Sequence, residues 1–181
     1  SRYLKIMPAG YVIGPYTLAS QLMGASRAAK AVIKQKGFLE KVLVFTTHVI
    51  GLSASALVEA GATAICVLEP SSMMLSPRQF EQFSGRYLTE LYEAFEAIPI
   101  LHICGDTTHL VDEMVATGAE GLSLDSMVDF SAIINRVPED VVLIGNINPV
   151  EMMLQSSPEE VYEETKNLMA ALEGHSNFIL S

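Results

Sequence analysis

The feature that most constrains this chain is an alternation. Short apolar runs ending in Gly, Pro, Asp or Asn are separated by longer stretches of helical pattern. The runs are Tyr11–Ile13, Ala64–Leu68, Ile98–Cys104, Gly121–Leu124, Val141–Ile144 and Phe178–Leu180. Each has strand length, and most are apolar on both faces, as strands buried on both sides of a parallel sheet are. Between them, Phe38 to Glu59 reads as one long helix that Gly61 ends. Ser76-Pro77-Arg78 opens another that runs to about Ala97, with Ser as N-cap and Pro in the first turn. Thr107 or Thr108 caps a helix ending near Thr117-Gly118, and Asp129 to Arg136 is a shorter one. Ser157-Pro158-Glu159-Glu160 repeats the capping pattern for a helix to about Glu173, with acidic residues near its positive end.

Strand–helix repeats of one direction imply parallel strands joined by right-handed crossovers. Six such strands make either an open doubly wound sheet or most of a barrel. No glycine-rich dinucleotide fingerprint follows any strand, which disfavours the first. The spacing of about 20 residues between successive strand starts after Ile98 suits barrel units, although a complete barrel takes about 250 residues. The expected fold is therefore a parallel (β/α)8 TIM barrel truncated to about six βα units, with residues 1–181 forming a single partial barrel domain.

A chain half hydrophobic and 18% charged has the composition of a folded domain, not of a disordered segment. Its net charge of −10 disfavours nucleic acid and anionic lipid. No uncharged apolar run is read as approaching the roughly 18 residues of a membrane span. Two distant cysteines, Cys66 and Cys104, form no disulfide framework, and Ser1–Lys5 carry no signal-peptide pattern and begin as if cut from something longer. The expected location is cytoplasmic. Open barrel edges would expose unpaired backbone groups, so self-association into a homo-oligomer or membership of a longer polypeptide is expected.

The most informative stretch for chemistry is Pro99-Ile100-Leu101-His102-Ile103-Cys104-Gly105-Asp106. Side chains at i and i+2 of a strand share a face, so His102 and Cys104 project together. An imidazole and a thiolate one pleat apart suit zinc, although two ligands never complete a zinc site. The alternative is a hydrogen-bonded core His beside a buried Cys. The pair ends its strand at a Gly turn, on the rim where parallel α/β folds carry their sites. Glu69, Asp125 and Asn146, with Asn148 and Asp106, end strands at the same rim and are the candidate substrate-binding groups. Cys66 reads as a core hydrophobe, His48 as structural, His109 as an exposed helix-start residue, and His175 as lying at the opposite rim. The Met73-Met74 and Met152-Met153 pairs read as packing or pocket lining.

These residues resemble the uroporphyrinogen decarboxylase superfamily, and within it the zinc-dependent, corrinoid-linked methyltransferases. The matching pieces are Gly14 to Gly24, Glu59-Ala60-Gly61-Ala62, His102-Ile103-Cys104-Gly105-Asp106, Gly121 to Asp125, and Gly145-Asn146-Ile147-Asn148-Pro149. The G-N-x-x-P element resembles both branches, the H-x-C-G element only the methyltransferases. The resemblance implies methyl transfer from a methylated corrinoid, carried on a partner corrinoid protein, to a zinc-activated small-molecule thiol such as coenzyme M. It places His102 and Cys104 as zinc ligands. A further Cys ligand of that branch follows the last strand in a Gly-Cys turn, and Phe178-Ile179-Leu180-Ser181 resembles the approach to it, so the zinc site is expected to be incomplete in this chain. Two other readings stand beside this one: a metal-free porphyrinogen decarboxylase, and a non-catalytic barrel fragment.

Overall fold

The computed structural model describes residues 6–181, so the reading of Ser1–Lys5 falls outside the described residues. Six strands, β1 (Ala9–Ile13), β2 (Ala64–Leu68), β3 (Ile98–Ile103), β4 (Gly121–Leu124), β5 (Val142–Gly145) and β6 (Phe178–Leu180), form one parallel sheet in sequential order. Helices alternate with them, as in a TIM-barrel fold from which part is absent; β1 and β6 are the two edges of the sheet.

One row of cross-strand partners shows how the sequence sorts itself. Val12, Val67, Leu101, Leu122, Leu143 and Phe178 pair in turn across all six strands, and the first five are buried beneath the helices. The next row, Ile13, Leu68, His102, Ser123, Ile144 and Ile179, points to the concave face and is half-exposed or exposed. Because the side-chain period is two, a slip of one residue would exchange these rows, and the aliphatic ladder fixes the register against it. Each aliphatic side chain in the buried row is worth about 1.5–3 kcal/mol of burial. That ladder places His102 on the open face.

The helices are α1 (Pro15–Met23), α2 (Ala25–Lys34), α3 (Lys36–Glu59), α4 (Pro77–Phe80), α5 (Arg86–Tyr92), α6 (Val111–Val115), α7 (Phe130–Ile133) and α8 (Pro158–Ala171). Sequence reasoning missed α1 and α2 and drew other segments too long. The helix expected from Ser76 to Ala97 is α4, a π-helical turn at Glu81–Gly85, and α5, with turns from Glu93 onward. The capping reading at Ser157 stands: its hydroxyl accepts the Glu160 amide while Glu160 bonds back to the Ser157 amide.

The reading of membrane-length runs needs correcting. Val42 to Val58 contains no charged residue, and α3 is long and apolar enough to cross a membrane by length and composition. Interspersed Thr46, Thr47, His48, Ser53 and Ser55 broke up the apolar pattern in the sequence. In the fold, Leu39, Leu43, Ile50 and Ala54 of α3 join the main core, and Thr46 and Thr47 return their hydroxyls to backbone carbonyls. His48 is exposed on this helix.

Candidate functional site

The carboxyl ends of β3, β4 and β5 border an open cleft of about 550 Å³. His102, Ser123, Asp125, Asn146 and Asn148 line it, with Glu151 and Ser181 at its margin. His102 is positioned by its direct partner in the next strand: Nδ1 lies 3.1 Å from the Ser123 carbonyl oxygen and 3.0 Å from its hydroxyl. A carbonyl can only accept, so Nδ1 is the donor here and Nε2 is the ring nitrogen that Ser123 does not engage. Metal-binding histidines are held this way, with one ring nitrogen donating to a carbonyl and the other free to ligate.

β3 ends at Ile103, so Cys104 stands one residue beyond the ladder, exposed. Gly105 follows at φ 86°, the left-handed conformation that lets the chain turn at once. Its amide donates to Asp125 Oδ2 at 3.0 Å, tying the ends of β3 and β4. The other Asp125 oxygen accepts from the Ser126 hydroxyl and the Met127 amide. The Gly105 hydrogen bond, with those from Met127 and Ser126, holds the Asp125 carboxyl below the usual aspartate range.

Asn146 follows β5. Its Nδ2 donates to the carbonyls of Asp125 (3.1 Å) and Val128 (2.6 Å), so the loop after β4 is pinned to the end of β5. Gly145 allows this closeness, since a Cβ there would stand 2.8 Å from the Leu124 carbonyl oxygen. Asn148 turns inward on its own loop, accepting the Val150 and Glu151 amides and donating to the Glu151 carboxylate.

The remaining candidates lie elsewhere. Asp106 is exposed and accepts the Thr108 amide at the start of a 3₁₀ turn; hydrogen bonds from Thr108 keep its carboxyl low. His109 is fixed through Nε2 to the Leu75 carbonyl. Glu69 does not open into the cleft. It is fully buried at the end of β2, beneath the N-terminus of α1, and accepts from the Tyr16 amide (3.0 Å), the Thr17 amide (2.5 Å) and the Thr17 hydroxyl. Sequence reasoning placed it at the rim because it ends a strand, but missing α1 hid the amides that claim it. A Cβ at Gly14 would overlap the Glu69 carboxylate, so glycine before Pro15 is the signal that was there to read. Ser123 was likewise missed as the residue that orients His102; its place opposite His102 becomes visible only once β3 and β4 are in register.

His102, Asp125 and Asn146 thus converge on one cleft, Cys104 and Asp106 stand at or beyond the strand end, and Glu69 is withdrawn. Among the described residues, no three His, Cys, Asp or Glu side chains cluster closely enough to hold a metal ion. His102 Nε2 and the Cys104 thiol suit two positions of a zinc site by donor type. Cys66 is buried, and burial pushes its thiol up to about 11, so it stays protonated and structural.

A sequential parallel sheet with its polar groups gathered at the strand carboxyl ends defines an α/β fold of the barrel class. The chain belongs to the uroporphyrinogen decarboxylase (URO-D) family, whose description matches residues 4–181. It is 33% identical over 168 residues to the methylcobamide:CoM methyltransferase MtaA of Methanosarcina barkeri, covering 91% of this chain and 49% of that protein. It is 30% identical over 176 residues to the uroporphyrinogen decarboxylase of Psychromonas ingrahamii, covering 90% of this chain and 49% of that one. A solved structure of a methyltransferase from Methanosarcina mazei superposes with a TM-score of 0.88 at 26% identity, covering 99% of this chain and 53% of that one. The chain spans about half the length of the curated relatives it matches.

Proposed function

We propose that this chain carries part of the active site of a cytoplasmic, zinc-requiring methyltransferase that moves a methyl group from a methylated corrinoid on a partner protein to a small-molecule thiol. The observation that supports this reading best is His102, its Nδ1 proton given to Ser123 and its Nε2 left free two residues before Cys104. The likeness to proteins named methylcobamide:CoM methyltransferases supports the same reading.

In this reading His102 Nε2 and the Cys104 thiolate hold the metal, and zinc when bound makes a coordinated thiol lose its proton at neutral pH. The Ser123 carbonyl and hydroxyl fix the imidazole tautomer and plane. Asp125 keeps the Gly105 turn closed, which sets where Cys104 emerges from the strand. Asp125 and Asn146 bind and orient the acceptor. Asp106, outside the cleft, contributes by shaping the loop that follows Cys104. A second reading, decarboxylation of a porphyrinogen, has the support of the uroporphyrinogen decarboxylase relatives.

Zinc binding separates the two. Titrated against a chromophoric chelator, the full-length protein is expected to take up zinc with an affinity that falls at least about tenfold in His102→Ala and in Cys104→Ala, the lower end of what even supporting residues contribute; the 181-residue chain, with two ligands, is expected to form the site only in part. Zinc affinity unchanged in both variants would refute the metal assignment and leave decarboxylation as the better reading.

A further inference from the structure

The cleft has a directional polarity that narrows what it can hold. Asn146 donates both amide hydrogens to backbone carbonyls, an orientation that two acceptors dictate, and its Oδ1 has no hydrogen-bond donor among the described residues. His102 Nε2, the metal-holding atom of that reading, lies at the end of β3 and is not counted here. Two carboxylates, Asp125 and Glu151, complete the set. Two of the side-chain donors nearby are turned onto these same carboxylates, the Ser126 hydroxyl onto Asp125 and the Asn148 amide onto Glu151, while the Ser123 hydroxyl lies 3.0 Å from His102 Nδ1. No Lys or Arg is among the described lining residues.

We infer that the part of the ligand lying over the ends of β4 and β5 carries hydrogen-bond donors and no negative charge, as an ammonium, amide or hydroxyl group does. This rests on reading the cleft as the acceptor site. A sulfonate or carboxylate set there would meet two carboxylates and the Asn146 Oδ1 lone pairs, with no Lys or Arg opposite among the described lining residues, and like charges so placed disfavour binding. An acceptor thiol with an anionic tail would have to direct that tail away from Asp125, Asn146 and Glu151.

The test uses two probes with one skeleton, ethanolamine and 2-hydroxyethanesulfonate, titrated into the metal-free 181-residue chain. Amide chemical shifts of Gly105 and Met127 and the Asn146 side-chain resonances are the readout. Ethanolamine is expected to bind at least about fivefold more tightly, the factor that about 1 kcal/mol represents for unit charges roughly 4 Å apart in water. Because Asp125→Asn also disturbs the Gly105 turn, the informative variant is Glu151→Gln, on the exposed margin. It is expected to reduce the preference while leaving the Gly105 resonance in place. Equal or tighter binding of the sulfonate, no response to ethanolamine, or an undiminished preference in Glu151→Gln would overturn the inference. Neither probe is a thiol and no metal is present, so this outcome is independent of zinc binding. A chain that binds zinc through His102 yet prefers the sulfonate refutes only this inference. Preference for ethanolamine together with zinc binding by the full-length protein that ignores His102→Ala and Cys104→Ala refutes only the methyltransferase reading.

Discussion

Glu69→Ala should be among the most damaging single substitutions in this chain, and for a reason unrelated to catalysis. The carboxylate is the acceptor for the Tyr16 amide, the Thr17 amide and the Thr17 hydroxyl, all within the first turn of α1. Alanine leaves these donors buried with nothing to bond. Each such group costs about 1–3 kcal/mol, and two backbone amides with partial relaxation give about 3–5 kcal/mol. Glu69 also carries a pH signature. Burial pushes its pKa up to about 7 from an ordinary 4.5, against the Thr17 hydroxyl and the Tyr16 and Thr17 amides, which favour the ionised form. Between those values the folded chain binds more protons than the unfolded one, so stability falls as pH rises. The contribution is fully present below about pH 4.5 and lost as pH passes 7. At about 1.4 kcal/mol per pH unit it amounts to about 3 kcal/mol over the interval. Urea unfolding followed by circular dichroism at pH 5, 6, 7 and 8 reads both effects, with Glu69→Gln as the control that cannot ionise. Gln leaves one amide facing its own NH2, so it should be less stable than the parent at pH 5, and the gap should narrow toward pH 8. A gap constant with pH, or an alanine variant within about 1 kcal/mol of the parent at pH 5, would refute the placement of the carboxylate under α1.

Four further outcomes follow from the same geometry. Leu101→Ala should cost about 2–5 kcal/mol in urea unfolding, since its side chain is fully buried in the helix-facing row. His102→Ala, on the open face next to it, should cost about 1 kcal/mol, roughly one hydrogen bond; equal costs at the two positions would contradict the register. Gly145→Ala should destabilise by more than about 2 kcal/mol and shift the Asn146 side-chain resonances, because its Cβ would press on the Leu124 carbonyl at a φ of 145°. Arg136→Ala removes an exposed ion pair with Asp112, and its unfolding midpoint should move by no more than about 0.5 kcal/mol.

How far the fold was legible depended on whether local pattern and tertiary packing agreed. The strands were read within two residues of their observed ends because each is an apolar run stopped by a turn former, and Phe178–Leu180 matched at both ends. The segment from Gly14 to Lys34 was not read as helix, although Pro15 opens α1 in the first-turn position proline favours. No Ser, Thr, Asp or Asn precedes that proline, and the cap is supplied from Glu69, more than fifty residues away. Sequence signals for helix starts are local, so a cap borrowed across the fold leaves none. The helix drawn from Ser76 to Ala97 failed for the opposite reason: its periodicity continues through Glu81–Gly85, where the backbone widens into a π turn.

The candidate site divides along the same line. His102 and Cys104 were singled out from their spacing, yet spacing says nothing of the Ser123 carbonyl that holds the imidazole through Nδ1. That contact exists because β3 and β4 pair His102 with Ser123, and the pairing in turn follows from the ladder running from Val12 to Phe178. Glu69 belongs to this network through its backbone, since its amide donates to the His102 carbonyl at 2.9 Å. One strand end therefore serves two neighbours: its carbonyl anchors the residue that caps α1, while its imidazole faces the cleft. A change that moves the end of β2 should be felt at His102 through that single hydrogen bond. A charge on Glu69, held by α1 amides on one side of β2, thus reaches the site by position and not by contact. It follows that Glu69→Gln should alter the His102 carbonyl and Glu69 amide chemical shifts before it alters zinc affinity. The reverse order would place Glu69 among the ligands, against every hydrogen bond it makes.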